Sequence, residues 1–144
     1  GKRTSFGVGQ FLVGVYDSKN DCFVTVSKIG TGLTDVQLKE FIDRVKSYET
    51  KEQPRQYSFD KLLQPDVWVK PQLVVEIGSD EITRSAVHTA GRVMEPSKSG
   101  KALSVKEAGY ALRFPRLVRF RDDRTPTDAT TVAEVIDLYT QQKK

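Results

Sequence analysis

Gly109-Tyr-Ala-Leu-Arg-Phe-Pro-Arg-Leu-Val-Arg-Phe-Arg-Asp-Asp-Arg124 alternates between Tyr110 and Phe120 as a β-strand does. Tyr110, Leu112, Phe114, Val118 and Phe120 share one parity, and Arg113, Arg119 and Arg121 share the other. The pattern predicts a strand with one buried face and one face covered by guanidinium groups. Five arginines fall in the twelve residues from Arg113 to Arg124. A solvated strand face usually mixes Lys, Glu, Thr and Gln, whereas a row of arginines suits planar, bidentate contacts with phosphate oxygens. The competing reading is a charge run that serves solubility alone. Pro115 cannot donate a ladder hydrogen bond and is a candidate bulge. Strict alternation therefore places Phe114 in the core, and a bulge turns it outward.

Upstream of this strand, Gln72 to Ile77 reads as another strand, with Gly78-Ser-Asp80 as a bend before Glu81-Ile-Thr83. Glu76 is a carboxylate pointing away from the apolar face, with no second carboxylate or His at a recognisable spacing. Gly91 to Glu107 is loop-like, with Pro96 to Gly100 as its tip. Downstream, Pro126 to Asp128 leads into a helix capped by Thr130 or Thr131, with Val132, Val135, Ile136 and Tyr139 on its apolar side. Earlier in the chain, Gly1 to Gly9 is a loop. Strand Gln10 to Tyr16, turn Asp17 to Asp21 and strand Cys22 to Lys28 then form a hairpin. Gly30-Thr-Gly32 breaks that strand. Thr34 or Asp35 caps a helix with Val36, Leu38, Phe41, Ile42 and Val45 on one side. The glycines are either a structural turn or a phosphate cradle at a helix start. Glu49 to Lys61, with Pro54, is a linker, and Pro65 to Pro71 is extended. Trp68, between Val67 and Val69, is expected to plug the core rather than to stack on a base. Five strands with one inserted and one terminal helix predict a mainly β chain built as an OB-fold barrel.

Composition sets outer limits. A length of 144 residues, 38% apolar and 9% aromatic, suits one domain. No apolar run approaches the length of a membrane span, and Gly1-Lys-Arg-Thr-Ser5 lacks the apolar segment of a signal peptide, so no membrane partner is expected. Single Cys22 cannot form an internal disulfide and reads as a core residue in a reducing compartment. The sole histidine, His88, excludes multi-His metal sites and Ser-His-Asp chemistry, so no metal ligands are assigned. A net charge of +4 permits an anionic partner without requiring one. Acidic residues gather between Asp35 and Glu52, while Lys2, Arg3 and the strand from Arg113 to Arg124 are basic. The glycine-rich start, without an initiator Met, is expected of a fragment.

Leu112-Arg-Phe-Pro-Arg116, then Arg119 and Arg121-x-Asp123-Arg124, resemble the last nucleotidyltransferase motif of ATP-dependent DNA ligases, whose strand ends in Arg-x-Asp-Lys/Arg. Lys28-Ile-Gly-Thr-Gly-Leu-Thr-Asp35, Pro65 to Trp68, Val74-Val-Glu-Ile77 and Asp128-Ala-Thr-Thr131 follow the family's order and spacing. Nearly the whole chain is covered, and it resembles the C-terminal OB-fold domain of the archaeal and eukaryotic-like type.

The resemblance implies that residues 1–144 are a single OB-fold domain of a longer ligase, with the adenylation domain elsewhere in the polypeptide. It implies sealing of nicked duplex DNA in replication, repair and recombination. ATP and Mg2+ would be bound mainly by the adenylation domain. Partners would be that domain, nicked DNA and a sliding clamp, in a prokaryotic nucleoid or a eukaryotic nucleus. By resemblance, Arg121, Asp123 and Arg124 orient the pyrophosphate of ATP during lysine adenylation. Arg113 and Phe114 approach the minor groove beside the nick, where an apolar wedge can widen it. Lys2, Arg3, Lys28 and Arg116 are further candidates for DNA contact. No Lys-x-Asp-Gly occurs, so this chain alone is expected to form no enzyme-adenylate. Two alternatives compete: a stand-alone single-strand-binding OB module using Trp68, Phe114 and Tyr110, and the OB domain of an RNA ligase or capping enzyme.

Overall fold

The computed structural model describes residues 9–142. The chain is mainly β. Strands β1 (Phe11–Asp17) and β2 (Cys22–Ile29) form an antiparallel hairpin. Its turn is set by Asp17, whose carboxylate accepts from the Lys19 amide at 3.0 Å and from Asn20 Nδ2 at 2.8 Å. Helix α1 (Asp35–Val45) follows. Thr34 is its cap: the Gln37 amide donates to Thr34 Oγ1 at 3.1 Å, and the Thr34 amide donates to Gln37 Oε1 at 3.0 Å. Leu38, Phe41 and Val45, spaced three and four apart, bury one side of the helix.

Nine further strands are short: β3 (Glu49–Thr50), β4 (Tyr57–Ser58), β5 (Trp68–Val69), β6 (Val75–Gly78), β7 (Glu81–Ser85), β8 (Val93–Pro96), β9 (Leu103–Glu107), β10 (Gly109–Arg113) and β11 (Arg116–Phe120). Helix α2 (Val132–Gln142) closes the described chain, capped by Thr131 Oγ1, which accepts from the Glu134 amide at 3.2 Å. Strand β4 adds to β2 in parallel; β7 pairs with β10, β6 with β11, β3 with β5 and β8 with β9, all antiparallel. This mainly β architecture with a C-terminal helix is consistent with an OB-fold, although the five sheets do not join into one closed barrel. Ala90 stands between β2 and β10: its amide donates to Thr25 O at 3.0 Å, and its carbonyl accepts from the Tyr110 amide at 2.9 Å.

The apolar interior has two parts. Val15, Val24, Val26, Ile82, Ala90, Tyr110 and Val135 form one, under α2. Ile29, Leu33, Leu38, Phe41, Val45 and Leu117 form the other, under α1.

Several expectations are corrected. The Tyr110–Phe120 stretch is two strands, because Phe114 takes φ 52° and Pro115 has no amide to continue the ladder. Parity flips there, so Leu117 is buried and Val118 is exposed. A register shift between Leu117 and Arg119 then returns Phe120 to the interior side, against Phe41. The strands number eleven, not five, among the described residues, and Gly91–Glu107 holds the β8–β9 hairpin rather than a loop. Val36 is 78% exposed, off the buried side of α1. Trp68 does not plug a closed core. It is half-buried, its ring centroid 5.1 Å from Phe59 and 6.5 Å from Tyr57, and it lines a cleft of about 1100 Å³ together with Leu73 and Ile82.

Candidate functional site

Strands β10 and β11 carry the first three arginines, and the neighbouring strands β6 and β7, with the bend between them, supply a carboxylate for each. Arg113 sits opposite Glu81 in the β10–β7 ladder, with Nη1 2.8 Å from Oε1. Arg116 Nη1 lies 3.1 Å from Asp80 Oδ1. Arg119 sits opposite Glu76 in the β11–β6 ladder, with Nε 2.9 Å from Oε1. Glu76 thus has the partner that its sequence neighbourhood did not show, and it takes a second, Arg121 Nη1 at 3.3 Å. Arg113, Arg116 and Arg119 and their partners are substantially solvated, so these three pairs are exchangeable rather than locked, whereas Arg121 is partly buried.

The end of β11 is more tightly organised. Asp123 is gripped by a fork from Arg121, Nε at 2.9 Å and Nη2 at 2.8 Å. That contact holds the Asp123 carboxyl well below the usual carboxylate range. It also raises the Arg121 guanidinium above its usual value, Asp123 first and Glu76 in support. Arg124 is 3.9 Å from the same carboxylate, and its amide donates to Arg121 O at 3.2 Å, closing a turn. Asp123 thus holds the Arg121 fork in place and stands beside Arg124. Asp122 points the other way, accepting from Arg44 Nη1 at 2.7 Å. Arg44 also reaches Glu40 at 2.9 Å and lies 4.1 Å over the Phe120 ring. A cavity of about 200 Å³ between α1 and this turn is lined by Arg44, Tyr48, Gln72, Arg121, Asp122 and Arg124.

At the other end of the strip, Phe114 is 61% exposed, and the Arg113 guanidinium lies 4.9 Å from its ring centroid. Strict alternation misplaced it in the core. A left-handed conformation for a bulky residue before proline costs about 1–3 kcal/mol and persists only where its surroundings over-determine it. Arg113, Phe114, Arg116, Arg121, Asp123 and Arg124 thus lie along one β10–β11 run. Lys28 is exposed on β2, and among the described contacts none joins it to that run. Lys2 and Arg3 lie outside the described residues. Of the aromatics a single-strand platform would use, Tyr110 is buried at 9% exposure and Trp68 is stacked on its neighbours, leaving Phe114 by itself. Among the described residues, no three His, Cys, Asp or Glu converge to hold a metal ion.

Arg44, Glu76, Asp80, Glu81 and Gln37 were not singled out as site residues from sequence. Glu76 carried one signal, a carboxylate between Val75 and Ile77, while its partners lie 43 and 45 residues away.

Residues 4–124 match the family described as ATP dependent DNA ligase C terminal region. The chain belongs to that family. A "Probable DNA ligase" of Dictyoglomus turgidum is 47% identical over 148 residues, covering 100% of this chain and 23% of the relative. A "DNA ligase" of Thermoplasma volcanium is 40% identical, covering 99% of this chain and 22% of the relative. "DNA ligase 1" of Dictyostelium discoideum is 39% identical, covering 99% of this chain and 11% of the relative. This ligase C-terminal region therefore spans less than a quarter of the relatives it matches. Its Arg121-Asp-Asp-Arg124 turn lies within the matched residues, and α2 follows them.

Proposed function

We propose that residues 1–144 are a single OB-fold domain of an ATP-dependent DNA ligase, working with an adenylation domain of the same polypeptide to seal nicks in duplex DNA. The observation that carries this reading is the Arg121–Asp123 fork at the end of β11, in a chain of the ligase family. Two guanidinium groups on one short turn fit a polyphosphate, because planar forks match phosphate oxygens and resist deprotonation. ATP supplies the adenylyl group, and Mg2+ is held mainly outside this chain. Arg121 and Arg124 orient the departing pyrophosphate in line with the attacking lysine and offset its developing charge. Asp123 keeps the Arg121 fork aimed. Arg113, Phe114 and Arg116 face the minor groove beside the nick, the arginines on phosphates and the ring as a wedge.

The test uses the full-length ligase that carries this chain. Arg121→Ala or Arg124→Ala is expected to slow self-adenylation by on the order of a hundredfold, the effect of removing one preorganised charge-stabilising donor. Sealing of a nick already carrying AMP is expected to suffer far less, since pyrophosphate has already departed. Equal loss in both assays would assign these arginines to DNA binding or folding instead. Supplied alone with labelled ATP, the 144-residue chain is expected to take up no AMP label, for want of a Lys-x-Asp-Gly nucleophile.

A further inference from the structure

The glycine loop before α1, readable as a turn or as a phosphate cradle, is a turn, the Leu33 amide donating to Gly30 O at 3.2 Å, and its contacts give it a further task. Gly32 lies directly against the Phe114–Pro115 kink. A Cβ there would stand 1.9 Å from Pro115 O and 2.8 Å from the Arg116 Cα, both backbone atoms that cannot swing aside. The Gly32 carbonyl accepts from the Leu117 amide at 3.0 Å. Gln37 holds the same segment from the other side, its Nε2 donating to Leu117 O at 3.1 Å while its Oε1 accepts from the Thr34 amide at 3.0 Å. One side chain therefore fixes both the start of α1 and the start of β11. Both backbone groups of Leu117 that would otherwise seek water are thus tied down, the amide by the loop and the carbonyl by α1, three residues after Phe114 in its left-handed conformation at φ 52°.

We infer that Gly32 and Gln37 are positioning residues that aim the Phe114 ring at the DNA. The loop clamps Pro115 to Leu117 against α1, leaving Phe114 no room to rejoin the ladder on the core side. Its ring is held outward, beside Arg113. The inference rests on the wedge reading of Phe114, and its test separates the two.

In the full-length ligase, Gln37→Glu keeps the acceptor for the Thr34 amide, since Glu serves equally in a capping box, but removes the donor to Leu117 O. It is expected to lower kcat/KM for nicked duplex by about three- to tenfold, the span set by the net worth of one hydrogen bond. Self-adenylation without DNA is expected to stay unchanged, which general damage to the fold would not allow. Gly32→Ala, which forces a backbone shift, is expected to lower sealing by on the order of a hundredfold. If that variant fails to fold, Gln37→Glu still decides. Because Gln37 acts through Phe114, adding Gln37→Glu to Phe114→Ala is expected to cause no further loss. Sealing that is normal in Phe114→Ala overturns the wedge reading and the inference with it. Sealing impaired in Phe114→Ala but normal in Gln37→Glu, or additive losses in the double variant, overturns the inference alone.

Discussion

His88 is half-buried against β2, its Nδ1 3.3 Å from Thr25 Oγ1. Burial, and secondarily the charge of Lys28, push its pKa below the ordinary histidine value. The folded state thus resists protonation that the unfolded chain accepts. Its stabilising contribution is whole above about pH 6.5, the unfolded value, and is lost as pH falls toward the lower folded value. Asp60 and Asp123 have lowered values, so their contributions are lost only in more acidic solution. Thermal melts between pH 7.5 and pH 5 should therefore show a decline that His88→Gln flattens; an unchanged slope would remove His88 as its source. Phe114 makes the opposite prediction at this scale. With its ring 61% exposed, Phe114→Ala should leave the melting temperature nearly unchanged, whereas emptying a core site of Phe costs about 3–5 kcal/mol.

Helix α1 carries one of the two apolar clusters, and Leu38 in it is fully buried. Leu38→Ala should destabilise the chain by about 2–5 kcal/mol and lower the melting temperature by on the order of 10 °C, measured by circular dichroism. This helix was legible in the sequence because its signals are local: a Thr34 cap, Gln37 at the third position, and apolar residues three and four apart. Val36 was misassigned although it lies about 200° around the helix from Leu38. The first hairpin was legible for the same reason, with β-branched runs flanking a polar turn. The β10–β11 break was only half legible. Pro115 marked the place, but the direction of the break is set by Gly32 and Gln37, about 80 residues earlier in the chain, as the 80-residue span from Gln37 to Leu117 shows. The β8–β9 hairpin was missed because its strands are short and largely exposed, so no buried face imposed an alternation. At the site, the arginines announced themselves, while their carboxylate partners depended on strand register, which no local pattern encodes.

Across the whole molecule, the basic strip is internally matched, so under the proposed function binding to DNA would exchange carboxylate partners for phosphates. With about three to five phosphates engaged, log Kobs for duplex binding should fall with log salt at a slope of roughly −3 to −4. Arg113→Ala should reduce that slope by about one unit, while Phe114→Ala should leave it unchanged; fluorescence anisotropy across a salt series distinguishes them. Among the described residues, the β8–β9 hairpin stands outside both apolar clusters, and its ladder joins no other strand. At its tip, Gly100 at φ 71° has nothing within 4 Å of where a Cβ would stand. The chain can therefore be lengthened at that tip, because each doubling of a loop adds only about 0.6 kcal/mol of closure entropy. A tag or fluorophore-bearing peptide spliced between Ser99 and Gly100 would extend a tip that packs in neither apolar cluster, a ready site for reporting how this chain moves.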